Sequence, residues 1–147
     1  MSMKNQDEIR EVLRTIAARR NSLFQIEDAL DALHEYGDEL VEALIDALDD
    51  PDNDVRLLVL GLFWELGVKA EPAVPSLINL LEDSNKVARL CAADVVARFG
   101  EKARAAIPIL ETWIGGEDRS SHVKALGNIM MIDPDRAVDL LPVLTEA

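Results

Sequence analysis

Residues 50–67 read DPDNDVRLLVLGLFWELG and residues 83–100 read DSNKVARLCAADVVARFG, so the two stretches align at a spacing of 33 residues. An Asp, an Arg and a Gly occupy matching positions in both copies. Within each copy the apolar residues recur at spacings of three and four, which is the period of one helical face. The sequence therefore predicts an internal repeat that is built from helices.

The repeat extends in both directions from these two copies. A proline-containing segment follows each of them, AVPSLINLL at residues 73–81 and AIPILETWI at residues 106–114, and DLLPVLTEA occupies residues 139–147. Apolar columns run in step through four units, and one column consists of small or β-branched residues. Stacked units of this kind bury apolar faces that a single unit leaves exposed. The members of that column are Ala29, Val59, Ala92 and Ala125.

Each unit predicts a pair of helices. Gly37, Gly67 and Gly100 end the first helices, where a left-handed residue costs Gly little, and Pro75 and Pro108 fall in the first turn of the second helices. We expect a lone helix at about 5–20, then pairs at 23–36 and 39–49, 54–66 and 72–82, 85–99 and 104–114, and 119–132 and 135–146. The whole chain, 1–147, is predicted to be one domain, with a capping helix at 1–22 and repeats at 23–50, 51–83, 84–116 and 117–147.

These features resemble HEAT repeats, in the short form also called PBS-lyase-like. The resemblance lies in the acid-rich turn, the pairs Val55-Arg56 and Ala88-Arg89, the Gly that ends the first helix, and the Ala-Val-Pro-type stretches at 73–75 and 106–108. It implies an all-α fold, an α-solenoid (superhelix) of about four helix pairs with an N-terminal capping helix. It also implies a concave protein-binding surface and a structural ladder that includes Asp50, Asp83, Arg56 and Arg89.

Acidic residues are concentrated in one third of the chain. The net charge is −13, and residues 21–55 contain twelve Asp or Glu and no Lys or Arg. Phosphate contacts need Lys and Arg, so we expect no binding of nucleic acid. The same charge favours a basic protein partner, and the alternative interpretation is a solvated acidic face.

The remaining composition favours a cytoplasmic protein without membrane contact. No stretch approaches the roughly 20 apolar residues that span a bilayer. The one cysteine, Cys91, has no second cysteine with which to form a disulfide within the chain. Because free cysteines tend to be buried, we interpret Cys91 as structural.

No motif in the sequence predicts catalysis, a metal site or a cofactor. The pair His34-Glu35 resembles the iron ligands of some HEAT enzymes, but it is not repeated in the later units. The run at residues 50–54 opens like a calcium loop, yet Val55 and Gly61 stand where such a loop needs Gly and Glu. We interpret this run as a turn that caps a helix. The chain is predicted not to be an enzyme.

The predicted function is that of an adaptor or scaffold that binds a protein partner through a concave, acidic helical surface. The alternative is a regulatory or accessory module, for example lyase-like, of an enzyme complex that supplies catalysis elsewhere. Trp113 is the leading contact residue because Trp is enriched in binding hot spots, whereas we expect Trp64 to pack in the core. The predicted partner-binding residues are Glu39, Glu42, Asp46, Asn79, Thr112 and Trp113.

Overall fold

The computed structural model describes residues 3–19 and 25–140, with the side chains of residues 5–19 and 26–140. These two ranges are largely helical and contain no strand. The all-α, solenoid-type fold class is therefore confirmed. The helices are α1 Met3–Ala18, α2 Gln25–Leu33, α3 Glu39–Ala47, α4 Asn53–Leu66, α5 Val74–Asn79, α6 Lys86–Ala97, α7 Ile107–Glu111, α8 Arg119–Ile132 and α9 Pro134–Asp139. Segments of 3₁₀ helix lie at His34–Tyr36, Gly67–Ala73, Leu80–Glu82 and Gly100–Ala106.

The contacts divide the chain into two compact units, Met1–Ala73 and Val74–Ala147. In the first unit α1 packs against α2, α3 and α4, and α2 also packs against α4. The buried side chains of this unit come from all four helices, as period-3.6 apolar faces require. Among the largest of them are Ile9, Leu13, Leu33, Leu44, Leu62 and Phe63.

The second unit is organised around α6 and α8. These two helices pack against each other, α5 packs against α6, and α7 and α9 pack against α8. Small residues such as Ala92 and Ala93 are fully buried in α6, which allows neighbouring helices to approach closely. The large side chains in this core include Leu77, Leu81, Leu110 and Ile129.

The helix ends agree with the sequence. Gly37, Gly67 and Gly100 have φ angles of 55°, 57° and 57°, in the left-handed region that only Gly enters freely. At the starts of three helices a polar side chain accepts a hydrogen bond from a backbone N–H group of the first turn. The caps of α4, α6 and α8 are Asp52, Asn85 and Asp118.

The second helices of the middle units are shorter than predicted. We expected one helix at 104–114, but a 3₁₀ segment precedes α7, which ends at Glu111. From Thr112 to Ile114 each backbone N–H donates to the carbonyl oxygen three residues earlier rather than four. Such bonds tighten the chain into turns, and the following Gly115-Gly116 stops the helix from resuming. Thr112 and Trp113 therefore lie in a turn and not in a helix.

Trp64 departs from its predicted place in the core. Its side chain is 42% exposed, whereas the adjacent Phe63 is almost fully buried. Consecutive helical residues point about 100° apart, so one of two neighbouring aromatic residues faces away when the other enters the core. Of the aligned positions, His34 and Met130 are exposed as well, whereas Ala97 is buried.

Candidate functional site

Two of the predicted acidic contact residues bind the first helix of their own unit. Glu39 and Asp46 are seven residues apart on α3 and therefore share a face. The Glu39 Oε2 atom accepts a hydrogen bond from Asn5 Nδ2 at 2.6 Å. The Asp46 Oδ2 atom accepts one from Gln6 Nε2 at 2.9 Å. Polar side chains of α1 thus already contact this face of α3.

Asp50, which follows α3, anchors the other end of α1. Its side chain is 1% exposed, and Oδ2 accepts hydrogen bonds from Arg14 Nε at 3.3 Å and Nη2 at 3.2 Å. Arg10 Nη1 lies 3.7 Å from the same oxygen, and Oδ1 accepts the backbone N–H of Asp52 at 2.9 Å. A buried carboxylate is costly unless such partners surround it. Asp50 is therefore a buried structural residue whose cationic partners come from α1, and the ladder implied by the resemblance stays a prediction.

Glu42 is the third predicted acidic contact residue, and it takes no part in the hydrogen bonds that join Glu39 and Asp46 to α1. It is exposed and lines an open cavity of about 620 Å³ in the first unit. Leu30, Val41 and Pro72 supply apolar surface to this cavity, and Lys69 also lines it. The cavity therefore combines an apolar surface with charges of both signs.

Thr112 and Trp113 line a separate pocket in the second unit. This pocket, hereafter the Trp113 pocket, is open and has a volume of about 400 Å³. Its Trp is half-buried, which leaves part of the indole surface accessible. Apolar side chains from two neighbouring segments complete its walls, as is usual for ligand-binding concavities. The lining residues are Leu81, Glu82, Asp83, Arg89, Pro108, Ile109, Thr112 and Trp113.

The turn that carries Trp113 is held by several bonds. The backbone N–H of Trp113 donates to the carbonyl oxygen of Leu110 at 3.0 Å. The Thr112 hydroxyl Oγ1 donates to the carbonyl oxygen of Ile109 at 2.6 Å. Gly115 has a φ of 82°, and its N–H donates to His122 Nδ1 at 2.8 Å. His122, which replaces the Arg of the earlier repeats, therefore fixes this turn. A turn held in this way presents the indole at low entropic cost on binding.

The charged residues of the Trp113 pocket differ in their local bonding. Arg89 Nη1 donates to the carbonyl oxygens of Asp83 and Ser84 at 2.8 Å and 3.3 Å. The Asp83 Oδ2 atom accepts the backbone N–H of Asn85 at 2.9 Å. Glu82, by contrast, is exposed at the rim. The sequence assigned Asp83 and Arg89 to a structural ladder, and the ladder pattern gave no signal that both also line a pocket.

Asn79, the remaining predicted contact, is the last residue of α5 and is exposed. It does not line the Trp113 pocket, although Thr112 and Trp113 do. The structure therefore brings together two of the predicted contacts within the second unit. Glu82, Pro108 and Ile109 join them there.

Asp118, which caps α8, and Cys91, which lies within α6, have shifted pKa values. Hydrogen bonds from Ser121, Lys86 and Ser120 hold the pKa of Asp118 well below its usual range. Burial raises the pKa of the Cys91 thiol, and the nearby Asp94 raises it further. A raised pKa lowers the thiolate fraction, which agrees with a structural cysteine.

The described residues show neither a metal cluster nor a membrane-spanning helix. No group of three or more His, Cys, Asp or Glu in these ranges is arranged to hold a metal ion. The acidic run at residues 50–54 is a turn that caps α4, since Asp52 Oδ1 accepts the Asp54 N–H at 2.9 Å. None of the described helices is long and apolar enough to cross a membrane.

Comparison with known protein families identifies a repeat family. The family model for HEAT repeats matches residues 41–127, more than half of the 147-residue chain. No curated protein matches the chain. The matched segment begins within α3 and includes most of α8, so it contains the Trp113 pocket.

Proposed function

The chain belongs to the HEAT-repeat family, and from that premise we propose that it is a scaffold that binds a basic or amphipathic segment of another protein. HEAT repeats generally serve as protein-interaction scaffolds, and the family is typically non-catalytic. The proposed docking site is the Trp113 pocket. Trp113 and Thr112 are its central contacts, with Asn79 on the same unit.

The half-buried indole in the Trp113 pocket carries this proposal. Binding hot spots combine a rigid aromatic residue with surrounding side chains that exclude water. Trp113 has Ile109 and Pro108 beside it in the pocket lining, and its turn is fixed by hydrogen bonds. A partner that inserts an apolar or cationic side chain here would bury indole surface without reordering the turn.

Charge supports a basic partner at this pocket. The rim residue Glu82 is exposed, whereas Arg89 binds the backbone of its own turn. An arginine or lysine from the partner would meet Glu82 and could stack on the indole, where cation–π contacts contribute about 0.5–2 kcal/mol. The chain's net charge of −13 would steer such a partner during encounter.

Among the acidic residues of the first unit, Glu42 is a better candidate for a partner contact than Glu39 or Asp46. Both bind α1 side chains, so a partner at these residues would have to replace Asn5 and Gln6. Glu42 needs no such exchange with α1. Within the first unit alone, we therefore propose the Glu42 cavity as a separate contact site.

The test compares two tryptophan variants of the 147-residue chain. The wild type, Trp113→Ala and the matched control Trp64→Ala are immobilised and exposed to a lysate of the native host at low and high salt. Bound proteins are quantified by mass spectrometry, and circular dichroism checks that each variant is folded. Trp64 is a suitable control because it is partly exposed but does not line the Trp113 pocket.

We expect a specific partner that Trp64→Ala retains and Trp113→Ala loses, and that high salt weakens. The Kd for that partner should rise at least about tenfold in Trp113→Ala, which corresponds to about 1.4 kcal/mol. Equal capture by all three chains would contradict the docking site. A catalytic complex captured in a salt-independent way would instead support the accessory-module alternative.

A further inference from the structure

His122 accepts a hydrogen bond at a position where the preceding repeat has an arginine, which can only donate. Arg89 and His122 occupy the same position of the repeat, 33 residues apart. The Arg89 Nη1 atom donates to the carbonyl oxygens of Asp83 and Ser84 in the turn before α6. The Nδ1 atom of His122 instead accepts the backbone N–H of Gly115 in the turn before α8, at 2.8 Å. The same repeat position therefore contacts its turn with the opposite hydrogen-bond polarity.

The hydrogen bond from Gly115 requires an unprotonated Nδ1 atom on His122. Neutral imidazole has one nitrogen that donates and one that accepts, whereas both nitrogens of the imidazolium donate. Protonated His122 would place an N–H group against the Gly115 N–H, so this bond would break. Imidazole is the one side chain whose ordinary titration falls between about pH 5 and 8. The bond between His122 and the turn therefore depends on pH in this range.

The turn held by this bond is able to change its conformation. Gly115 has a φ of 82°, in the left-handed region that only Gly enters freely. Gly116 follows it, and both residues are exposed. The bonds of Thr112 and Trp113 to α7 hold the beginning of the turn, whereas His122 holds its end. Loss of the His122 bond therefore frees the end of the turn that follows Trp113.

The imidazolium form of His122 would have the donor character of the repeated arginine. The two residues whose carbonyl oxygens bind Arg89 correspond to Gly116 and Glu117 in the next repeat. An imidazolium can donate to these carbonyl oxygens, as Arg89 does in its own turn. Protonation therefore exchanges one contact of His122 with the turn for another, which gives the turn two alternative arrangements.

The other ionisable groups around α8 keep their charge over this pH range. Hydrogen bonds hold the pKa of Asp118 well below its usual range, so its carboxylate stays ionised. Burial raises the pKa of the Cys91 thiol on α6, so this thiol stays neutral. The elements packed on α8 otherwise carry carboxylates, lysines and arginines, which do not ordinarily titrate between about pH 5 and 8. They include the ion pairs Lys86–Asp118, Asp94–Lys124, Arg104–Asp133 and Glu111–Arg136, together with Arg89, Glu101, Lys102 and Glu117.

We propose that His122 is a pH switch for the Trp113 pocket. The neutral imidazole accepts the Gly115 N–H and keeps the turn that carries Trp113 in place. The imidazolium releases Gly115, and the turn then loses the order that favours binding. A partner is therefore held near neutral pH and released as the pH falls. This inference rests on the docking site proposed above, because the switch affects a partner only if that partner contacts Trp113.

The experiment follows the accessibility of Trp113 in the 147-residue chain. Trp64→Phe serves as the background and leaves Trp113 as the only tryptophan. Acrylamide quenching of its fluorescence is measured from about pH 8 to about pH 5, and circular dichroism checks that the chain is folded at each pH. We expect quenching to increase as the pH falls, because the turn around the half-buried indole loses the Gly115 bond.

Three histidine variants in this background identify the titrating group. His122→Asn keeps an acceptor oxygen near the place of Nδ1 but takes up no proton, so its quenching should not change with pH. His122→Arg is always charged and should show, at the highest pH, the quenching that the background reaches at the lowest. The control His34→Asn should titrate as the background does, because His34 Nδ1 donates to the carbonyl oxygen of Asp31 and protonation keeps this bond. Quenching that is constant with pH in the background, or that still changes in His122→Asn, would overturn the inference.

A binding measurement separates the switch from the docking site. The Kd of the captured partner should rise about threefold to tenfold between neutral and acidic pH, as expected for the loss of one hydrogen bond, and His122→Asn should remove this rise. If Trp113 quenching responds to His122 while the Kd does not, the turn switches but the docking site at the Trp113 pocket is contradicted. If quenching does not respond to His122, the switch is wrong whatever the partner does.

Discussion

The acidic face beside α3 and the Trp113 pocket were predicted as parts of one binding surface, but they differ in what already contacts them. Glu39, Asp46 and Asp50, hereafter the α3 acidic surface, accept hydrogen bonds from side chains of α1. The Trp113 pocket is open, and its indole is partly accessible. The α3 acidic surface is therefore already bound by an amphipathic segment that carries arginines, and this segment is α1 of the same chain.

This difference teaches that the concentration of acidic residues does not by itself identify a partner site. Residues 21–55 contain no Lys or Arg, so their carboxylates need cations from elsewhere. Arg10 and Arg14 of α1 supply them at Asp50. The local surplus of charge is thus partly a requirement of the fold.

The largest effect that we predict concerns Asp50. Asp50→Ala removes the buried acceptor of Arg14 and of the Asp52 N–H and should lower the free energy of unfolding by about 2–3 kcal/mol, because charged hydrogen bonds contribute more than neutral ones. Urea unfolding followed by circular dichroism measures the change. The control Asp49→Ala removes an adjacent but exposed carboxylate and should change stability by less than about 0.5 kcal/mol. Equal losses of unfolding free energy in Asp50→Ala and Asp49→Ala would contradict the anchoring of α1 by Asp50.

The next effect compares Gly61 and Gly127, two helical glycines that occupy the same position of the 33-residue repeat, two repeats apart. Gly61→Ala should destabilise by about 1 kcal/mol, because its Cβ would overlap Ile26 Cδ1. Gly127→Ala should stabilise by about 0.5–1 kcal/mol, because the position is open and helical. Urea unfolding followed by circular dichroism measures both changes.

A second substitution tests the cause of the Gly61 effect. Ile26→Val removes the Cδ1 methyl group and should recover stability in the Gly61→Ala background. Changes of the same sign at both glycines, or no recovery with Ile26→Val, would contradict the close approach of α2 and α4.

The features predicted well from sequence are local ones. The left-handed Gly67 and the cap Asp52 depend on a few adjacent residues, so the repeat pattern specified them. The end of α7 was misjudged because proline and apolar spacing predict a helix but do not distinguish α-helical from 3₁₀ bonds. The partners of Asp50 lie in α1, 36 residues away at Arg14, and no local pattern indicates such a contact.

The exposure of the two tryptophans shows a second limit. Alignment assigned Trp64 to a column and favoured the core, but a column specifies a helix face and not what covers that face. His122 occupies the position of the repeated Arg, and only the structure shows that it accepts the Gly115 N–H and fixes the Trp113 turn. Both outcomes depend on packing between elements.

The smallest effect that we predict is a pH dependence at the joint between α6 and α8. Hydrogen bonds from Ser121, Lys86 and Ser120 hold the pKa of Asp118 in the folded chain well below its usual range. A carboxyl group whose pKa is lower in the folded chain than in the unfolded chain stabilises the fold at pH values above its unfolded-state pKa. This stabilisation is lost as the pH falls through the folded-state pKa.

Asp118→Asn keeps a capping side chain but removes the charge that titrates. The stability difference between wild type and variant should be present at neutral pH and should narrow as pH falls below about 4. Urea unfolding across that range measures it, with Asp135→Asn as a control at an exposed carboxylate. A difference that stays constant with pH would rule out this role for the Asp118 charge.

The most direct test of the contrast between the two surfaces is the affinity of the captured partner for Glu82→Lys and for Asp46→Lys. Both residues are exposed carboxylates, one at the Trp113 pocket and one on the α3 acidic surface. We predict that Glu82→Lys raises the partner's Kd about tenfold or more and flattens its salt dependence, while Asp46→Lys leaves both nearly unchanged. Loss of binding in Asp46→Lys with normal binding in Glu82→Lys would contradict the assignment of the docking site to the Trp113 pocket.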